Sequence, residues 1–168
     1  LAYYDILTGL PNRTLFEQNL ETIVNESKRY NRRFALIFLD LDNFKLVNDT
    51  YGHLVGDKLL QNVANILKTS IRKSDTVSRL SGDEFIVIIK DLKLNSDIDK
   101  VATKIISATS NSMIIDKNHI NFGISIGISI YPDNTLSSIE LMKQADMAMY
   151  KSKENGKNQY SYFNKVKG

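Results

Sequence analysis

The chain has 168 residues, of which 42% are hydrophobic, and it carries a formal net charge of +3 with no cysteine. This length suits one domain with a full hydrophobic core, and the lack of cysteine excludes a disulfide framework and a thiolate metal site. The slight positive charge permits a phosphate-bearing ligand without requiring nucleic acid, and no stretch is apolar enough for a membrane span or a signal peptide. Because the sequence starts at Leu1 rather than at Met, we expect a piece of a longer protein.

A helix and a buried strand open the chain. Pro11 suits the first turn of a helix, and apolar residues recur at helical spacing up to about Tyr30. The apolar run Phe34–Leu39 is typical of a central strand, and it leads into Asp40 and Asp42, which a period of two places on one face. Two carboxylates at the exit of a buried strand predict a magnesium site; the alternative is a turn acid that caps the following helix.

The next two predicted helices each carry a polar residue that has two interpretations. Phe44–Asp49 is short and helix-like, and a second helix is predicted to open at Gly56 and Asp57. Asp57 stands where an N-cap would, so capping is the alternative to a ligand-binding role. Asn48 has the same kind of alternative as a turn former.

A β-hairpin is predicted next. Thr76–Leu80 alternates as a half-buried strand does, Phe85–Ile89 is apolar on both faces, and Ser81–Asp83 between them suits a tight turn. The turn places Asp83 and Glu84 at the end of a buried sheet, where carboxylates suit a hard metal ion or a catalytic role. The alternative is a solvent-exposed acidic turn.

The middle of the chain predicts a third helix, over about Ile98–Thr109, and two short strands, Met113–Ile115 and Ile120–Phe122. The second strand is predicted to continue through Gly123–Ile130, with isoleucines on one face and small residues on the other. Small residues on a sheet face let a helix approach closely.

The last helix is predicted to start around Ser137–Ser138 and to stop at Gly156. Lys153 and Lys157 lie near its end, where compensation of the helix dipole is the alternative to a ligand-binding role. A short strand, Tyr160–Phe163, closes the chain. The order of elements predicts an α+β domain with a mostly antiparallel central sheet covered by helices.

Six motifs follow one another along the chain: DILTGLPNR, FLDLDNFKLVND, GHLVGD, RLSGDEF, SIGIS and ADMAMYKSKENGKN. Together they resemble the GGDEF family, the diguanylate cyclases of bacterial signalling, from Asp5 to about Phe163. The resemblance implies a single domain over 1–168 with a five-stranded sheet flanked by helices, similar to the palm of nucleic-acid polymerases and to nucleotidyl cyclases. It also implies that each domain holds one GTP, that two domains meet face to face, and that two GTP become cyclic di-GMP and two pyrophosphates.

The resemblance further implies a metal site and a catalytic group. Asp40, Asp83 and the backbone carbonyl of Leu41 correspond to the family's ligands for Mg²⁺ or Mn²⁺. Mg²⁺ prefers a few carboxylate oxygens together with substrate phosphates, and it lowers the pKa of a bound hydroxyl. Asp83 and Glu84 are the candidates to take the proton of the ribose 3′-OH.

Other motif residues correspond to nucleotide contacts. Asn48 and Asp57 match the residues that bind guanine, whose N1–H and N2 amine an aspartate can accept. Lysine suits the β- and γ-phosphates as a mobile point charge, and Phe44 and Lys45 also offer backbone N–H groups. The substrate-binding residues that the resemblance implies are Phe44, Lys45, Asn48, Asp57, Ser81, Gly82, Lys153 and Lys157.

Arg72 and Asp75 match the family's RxxD inhibitory site for the product. Arg72 can fork onto guanine N7 and O6 or onto a phosphate, and Asp75 can accept from a guanine edge. The alternative is a chance surface pair between a helix end and a strand. Arg79 lies just before SGDEF (Ser81–Phe85), the signature of the family in this chain, and it is expected to fix the hairpin.

One departure from the family pattern is Ser81, where a glycine is usual. If the backbone there needs a positive φ, a non-glycine residue costs roughly 1 kcal/mol or more; if φ is negative, serine fits. Three functions stay open: a cyclase regulated by its product, a silent receptor for cyclic di-GMP or GTP, and a dimerisation module without a ligand. The intact phosphate and guanine positions argue against the third.

The expected partners are GTP, cyclic di-GMP, a second copy of the domain, and an N-terminal sensor or regulatory domain of the parent protein. No nucleic-acid polymer and no membrane contact by this domain are expected. The expected location is the cytoplasm, where GTP and Mg²⁺ are found.

Overall fold

A computed structural model describes residues 2–164, which contain five helices and seven strands. The predicted ends of the domain, 1 and 168, lie outside the described residues. The helices are α1 Arg13–Tyr30, α2 Phe44–Tyr51, α3 His53–Ser70, α4 Asn95–Ser110 and α5 Ser138–Glu154. The strands are β1 Phe34–Asp42, β2 Thr76–Ser81, β3 Glu84–Ile89, β4 Met113–Ile115, β5 Asn118–Ile120, β6 Gly123–Tyr131 and β7 Tyr160–Tyr162.

The central sheet has the strand order β2-β3-β1-β6-β7. Only the β6–β7 pair is parallel within this sheet, and β4 and β5 form a separate two-stranded hairpin. The predicted α+β architecture with a mostly antiparallel sheet is therefore confirmed. Strand β1 lies in the middle because it is apolar on both faces and needs cover on each.

Alternate residues of β1 point into two cores. Ala35, Ile37 and Leu39 belong to the core under α3 and α4, whereas Phe34 and Phe38 pack with residues of α1 and α5. Since side chains alternate along a strand, Asp40 and Asp42 continue the α1/α5 face. The sheet thus delivers both carboxylates to one end of one face.

Two predicted boundaries are wrong. The strand predicted from Ile120 through Ile130 is broken, because β5 ends at Ile120 and pairs with β4, whereas β6 starts at Gly123 and pairs with β1. The break lets the chain pass from one sheet to the other. Helix α3 begins at His53, after Gly52 with φ 91°, so Asp57 lies inside the helix and the N-cap interpretation of Asp57 is wrong.

The small residues of β6 do admit a helix, as predicted. A Cβ on Gly127 would lie 2.0 Å from the backbone N of Met149 and 2.1 Å from the carbonyl O of Ala145. Helix α5 can therefore lie directly on β6. This packing places the C-terminal end of α5 beside the exit of β1, where Lys153 pairs with Asp40. Across residues 2–164, no helix is both long enough and apolar enough to cross a membrane.

Candidate active site

The exit of β1 and the β2–β3 turn form one acidic cluster. Asp40 stands directly opposite Glu84 in the β1–β3 register, and the backbone N–H of Leu41 donates to the carbonyl O of Asp83 at 3.3 Å. Directly opposed residues of an antiparallel pair project from the same face. Two neighbouring strands therefore bring together three of the residues predicted for metal binding and catalysis.

Asp40 is the carboxylate of this cluster that has an oxygen without a hydrogen-bond partner among the described residues. Its Oδ2 forms an ion pair with Lys153 Nζ at 3.0 Å, and its side chain is 16% exposed. Its Oδ1 is buried and has no hydrogen-bond partner within residues 2–164. Burial and then the nearby carboxyl of Asp83 raise the pKa of Asp40 to about 7, against the opposing charge of Lys153.

This environment fits a divalent cation. A buried oxygen without a donor is costly unless a ligand satisfies it. The described part of the chain has no group of three or more His, Cys, Asp or Glu side chains arranged to hold a metal. Two carboxylates and a backbone carbonyl nevertheless suit Mg²⁺, which keeps several waters and binds substrate phosphates as its other ligands.

Asp42, two residues along the same strand, differs from Asp40. It is 2% exposed, and its two oxygens accept hydrogen bonds from Ser125 Oγ at 2.6 Å and from the backbone N–H of Asn158 at 2.9 Å. Sequence periodicity treated Asp40 and Asp42 as one pair of ligands. Of these two aspartates, only Asp40 has an oxygen without a hydrogen-bond donor among residues 2–164.

Glu84 lies in an acidic environment. Burial, followed by the negative charges of Asp40 and Asp146, raises the pKa of Glu84, whereas Arg13 and Lys153 lower it. A raised pKa suits a group that has to take up a proton near neutral pH. Asp146, on α5, was not singled out from the sequence, where it is one more acid on a helix that packs by its apolar face.

Two of the three predicted phosphate-binding lysines, Lys153 and Lys157, lie on α5 and in the turn that follows it. Lys153 is held against Asp40, with Asp42 Oδ1 a further 3.7 Å from its Nζ. Lys157 lies just beyond the helix, and its Nζ donates to Asn43 Oδ1 at 2.9 Å. The two ammonium groups therefore flank the exit of β1, as a triphosphate in that place would require.

The predicted guanine contacts lie on α2 and α3. Asn48 packs against Gly56, where a Cβ would lie 1.9 Å from Asn48 Oδ1. This close approach explains a glycine inside a helix, and it places Asn48 next to the residue that precedes Asp57. Asp57 and Lys45 are exposed and Phe44 is half-buried, so their side chains are open to a ligand.

The β2–β3 turn resolves the question raised by Ser81. Ser81 is the last residue of β2, pairs with Glu84 and is exposed, whereas Gly82 has φ 42°. Only Gly82 therefore occupies the left-handed region that favours glycine. The register shifts by one residue between Arg79 and Ser81, a β-bulge that turns the signature out of the sheet.

Arg79 fixes this turn, as expected. Its Nε donates to the carbonyl O of Gly82 at 2.9 Å, and its Nη1 donates to both Asp5 oxygens at 3.0 and 3.1 Å. Burial alone would raise the pKa of Asp5, but hydrogen bonds from Thr8 and Arg79 lower it overall. The opening turn of the chain thus supports the signature turn, a link that the DILT motif did not reveal by spacing.

Comparison with known proteins agrees with this geometry. The family model described as the diguanylate cyclase GGDEF domain matches residues 2–159. The chain belongs to the GGDEF domain family. Over 163 residues this GGDEF domain is 42% identical to the bifunctional diguanylate cyclase/cyclic di-GMP phosphodiesterase MucR of Pseudomonas aeruginosa, and the match covers 97% of this chain and 24% of MucR. The chain spans about a quarter of the length of that relative.

Solved structures of the family superpose closely. The GGDEF domain of TpbB from Pseudomonas aeruginosa has a TM-score of 0.93 and 34% identity, with 96% of this chain and 95% of that chain covered. The coiled coil and GGDEF domain of DgcB from Caulobacter crescentus, in complex with cyclic di-GMP, gives a TM-score of 0.88 and 27% identity, covering 96% and 85%. The fold is therefore that of a GGDEF domain.

A second polar site of this GGDEF domain surrounds Arg72 and Asp75. The Asp75 side chain is 1% exposed, and its oxygens accept from the backbone N–H, Nε and Nη2 of Arg72 and from the backbone N–H of Lys90, at 3.0–3.1 Å. The Arg72 side chain is 57% exposed and faces a groove of about 410 Å³ that Lys100 and Lys104 also line. Asp75 can accept from a guanine edge only if this ion pair opens.

Proposed function

We propose that this GGDEF domain is a diguanylate cyclase that condenses two GTP into cyclic di-GMP and two pyrophosphates. The observation that carries the proposal is the buried, unpartnered Oδ1 of Asp40 beside Asp83 and Glu84. Burying several carboxylates close together destabilises the folded state. A domain that only bound a partner protein would gain nothing in return for that cost.

The proposed residue roles follow from the positions of the side chains. Asp40, Asp83 and the carbonyl of Leu41 would hold Mg²⁺ or Mn²⁺, which when bound neutralises charge on the α-phosphate and lowers the pKa of the 3′-OH. Glu84 or Asp83 takes the 3′ proton as the 3′ oxygen forms its bond to the α-phosphorus. The bond from that phosphorus to the β-phosphate oxygen breaks, and pyrophosphate leaves.

The nucleotide is held from two sides in this account. Asn48 and Asp57 accept and donate at the guanine edge, which selects GTP over ATP. Lys45, Lys153 and Lys157, with the backbone N–H groups of Phe44 and Lys45, bind the β- and γ-phosphates. Ser81 and Gly82, at the β2–β3 turn, would contact the nucleotide.

The full reaction needs a second domain. Each domain holds one GTP, so two phosphodiester bonds form only when two copies face each other. An N-terminal sensor or regulatory segment in the parent protein would control that encounter in the cytoplasm. Arg72 and Asp75 would bind the product and inhibit the enzyme once their ion pair opens.

A second candidate function is a silent receptor for cyclic di-GMP or GTP. The groove beside Arg72 favours it, because its four cations give an anionic ligand contacts whether or not the acidic cluster is active. Arg72, Lys93, Lys100 and Lys104 line this groove together with the carboxylates Asp75, Asp91 and Asp97. The intact acidic cluster and both lysines favour the cyclase.

Turnover separates the two functions. The domain, fused to a dimerising helix, is incubated with GTP and Mg²⁺, and cyclic di-GMP is measured by chromatography beside an Asp83→Ala control. Product that disappears in the control supports the cyclase. A forced dimer that binds GTP but forms no product would leave the receptor as the function.

A further inference from the structure

The buried carboxylate of Asp42 has no role in the reaction proposed above. Its oxygens face Ser125 and the backbone N–H of Asn158, residues that are 83 and 116 positions away in the sequence. Asp42 is 2% exposed, and burying a carboxylate is costly without such partners. The contacts join three separate parts of the chain: the exit of β1, the start of β6 and the turn after α5.

That turn has an unusual backbone. Gly156, Lys157 and Asn158 all have positive φ, at 117°, 64° and 50°. Two consecutive non-glycine residues in the left-handed region are unfavourable by themselves and persist only where other contacts hold them. Asp42 provides such a contact through the N–H of Asn158, and Asn158 Oδ1 in turn accepts from the backbone N–H of Ile124 at 3.4 Å.

The packing around Asp42 leaves no space for a side chain at position 123. A Cβ on Gly123 would lie 2.8 Å from Asp42 Oδ2 and 3.0 Å from Asn158 Cβ. Gly123 therefore lets the turn lie directly on the strand exit. The residue after Asp42 completes the junction, since Asn43 Oδ1 accepts from Lys157 Nζ at 2.9 Å.

We propose that Asp42 is a positioning residue that fixes the lysine-bearing turn 156–158 against the exit of β1 and thereby sets the affinity for the β- and γ-phosphates of GTP. The inference rests on the proposed function, because it takes GTP as the ligand. Asp42 acts through Lys153 and Lys157: it anchors the turn that carries Lys157, and its Oδ1 lies 3.7 Å from the ammonium of Lys153. A mobile lysine loses more side-chain entropy on binding a phosphate than one already held in place.

The strand β6 offers a matched pair of variants. Ser125 and Ser129 are both fully buried hydroxyls on the same strand, and each donates one hydrogen bond, to Asp42 Oδ1 and to the carbonyl O of Leu141 respectively. Ser125→Ala and Ser129→Ala therefore each remove one hydroxyl hydrogen bond from a similar depth, and the bond to the charged Asp42 is the stronger of the two. Only the first bond belongs to the junction around Asp42.

Calorimetry with two nucleotides tests the proposal. Affinities are measured in Mg²⁺ for 3′-deoxy-GTP, which has no 3′-OH to react, and for GMP, which has no β- or γ-phosphate. We expect Asp42→Ala to weaken 3′-deoxy-GTP binding about tenfold or more and Ser125→Ala about threefold, with GMP changed by less than about twofold in both. Ser129→Ala is expected to leave both affinities unchanged.

The outcomes separate the inference from the proposed function. Equal losses for both nucleotides in Asp42→Ala, or a Ser125→Ala protein that behaves as Ser129→Ala does, would overturn the positioning role. If a thermal melt shows that Asp42→Ala does not fold, the two serine variants decide alone. A wild-type domain that fails to bind 3′-deoxy-GTP would refute the proposed function and the inference together.

Discussion

Two aspartates of this domain, Asp40 and Asp75, have opposite hydrogen-bonding environments. Asp75 has all its oxygens satisfied, by the Arg72 guanidinium and by two backbone N–H groups. Asp40 Oδ2 pairs with Lys153, whereas Asp40 Oδ1 has no hydrogen-bond partner within the described residues. The carboxyl of Asp83 also lies close to Asp40. Asp40 lies near the end of β1 and its side chain is 16% exposed, whereas Asp75 directly precedes β2 and its side chain is 1% exposed.

The difference shows what each carboxylate does for the fold. A satisfied buried carboxylate joins the segments that donate to it, whereas an unsatisfied one among like charges costs stability. Such a cost is typical of a site that a ligand completes. Asp75 is therefore a structural residue as long as it is paired with Arg72, and Asp40 is the residue that we propose binds a ligand.

The largest expected effect is on Asp75. Asp75→Ala leaves the backbone N–H groups of Arg72 and Lys90 without acceptors and removes the ion pair, so we expect a loss of about 3 kcal/mol in the free energy of unfolding. Urea unfolding measures it. The exposed Asp49→Ala is the control, at within about 0.5 kcal/mol of wild type. An Asp75→Ala domain as stable as the control would remove the contrast.

Asp40 is expected to respond in the opposite direction. In EDTA, Asp40→Asn removes a charge whose pKa the fold raises from 3.8 to about 7, so we expect a gain of about 2 kcal/mol at pH 8. A raised pKa of an acid means that wild type loses stability as pH rises from about 4 to about 7. The two proteins should therefore be equally stable below pH 4 and differ most above pH 7.

Thermal melts across this pH range, with and without metal chelation, check the prediction for Asp40. Lower stability of Asp40→Asn at pH 8 would mean that the carboxylate supports the fold as Asp75 does.

Arg72→Ala sharpens the account of Asp75. Asp75 keeps its two backbone donors in this variant, and the Arg72 side chain is more than half exposed, so we expect a loss of only about 1 kcal/mol. Comparison with Asp75→Ala in the same urea titration checks it. A loss as large as that of Asp75→Ala would show that the guanidinium, rather than the backbone, holds the carboxylate.

The smallest expected effect concerns the signature turn. Ser81→Gly changes an exposed strand residue, and we expect at most about 0.5 kcal/mol of destabilisation and turnover within about twofold of wild type. Gly82→Ser is the matched control, because it puts a side chain at φ 42° and costs about 1 kcal/mol of strain or more. A tenfold faster turnover in Ser81→Gly would contradict this prediction and would show that Ser81 lowers the activity of the wild-type domain.

Local sequence predicted most of the fold because strand and helix periodicities are strong in this chain. It also placed Asp40 at a strand exit and Asp83 in a turn, since both follow from local pattern. The roles of Asp42 and Asp75 did not follow, because their partners Ser125, Asn158 and Lys90 come from distant segments.

Two errors of the sequence interpretation have the same origin. Gly56 reads as a helix start, but it lies inside α3 because Asn48 of another helix packs against it. The strand predicted across residues 120–130 breaks because its two parts pair with different strands. In each case a tertiary contact, invisible to periodicity, set the boundary.

The central claim is that Asp40 is unsatisfied because it binds a metal together with the nucleotide. Mn²⁺ binding in the presence of 3′-deoxy-GTP, followed by electron paramagnetic resonance, tests it most directly in wild type, Asp40→Asn and Arg72→Ala. We expect wild type and Arg72→Ala to bind Mn²⁺ equally and Asp40→Asn to bind it about tenfold more weakly or worse. Equal Mn²⁺ affinity in wild type and Asp40→Asn would contradict the claim.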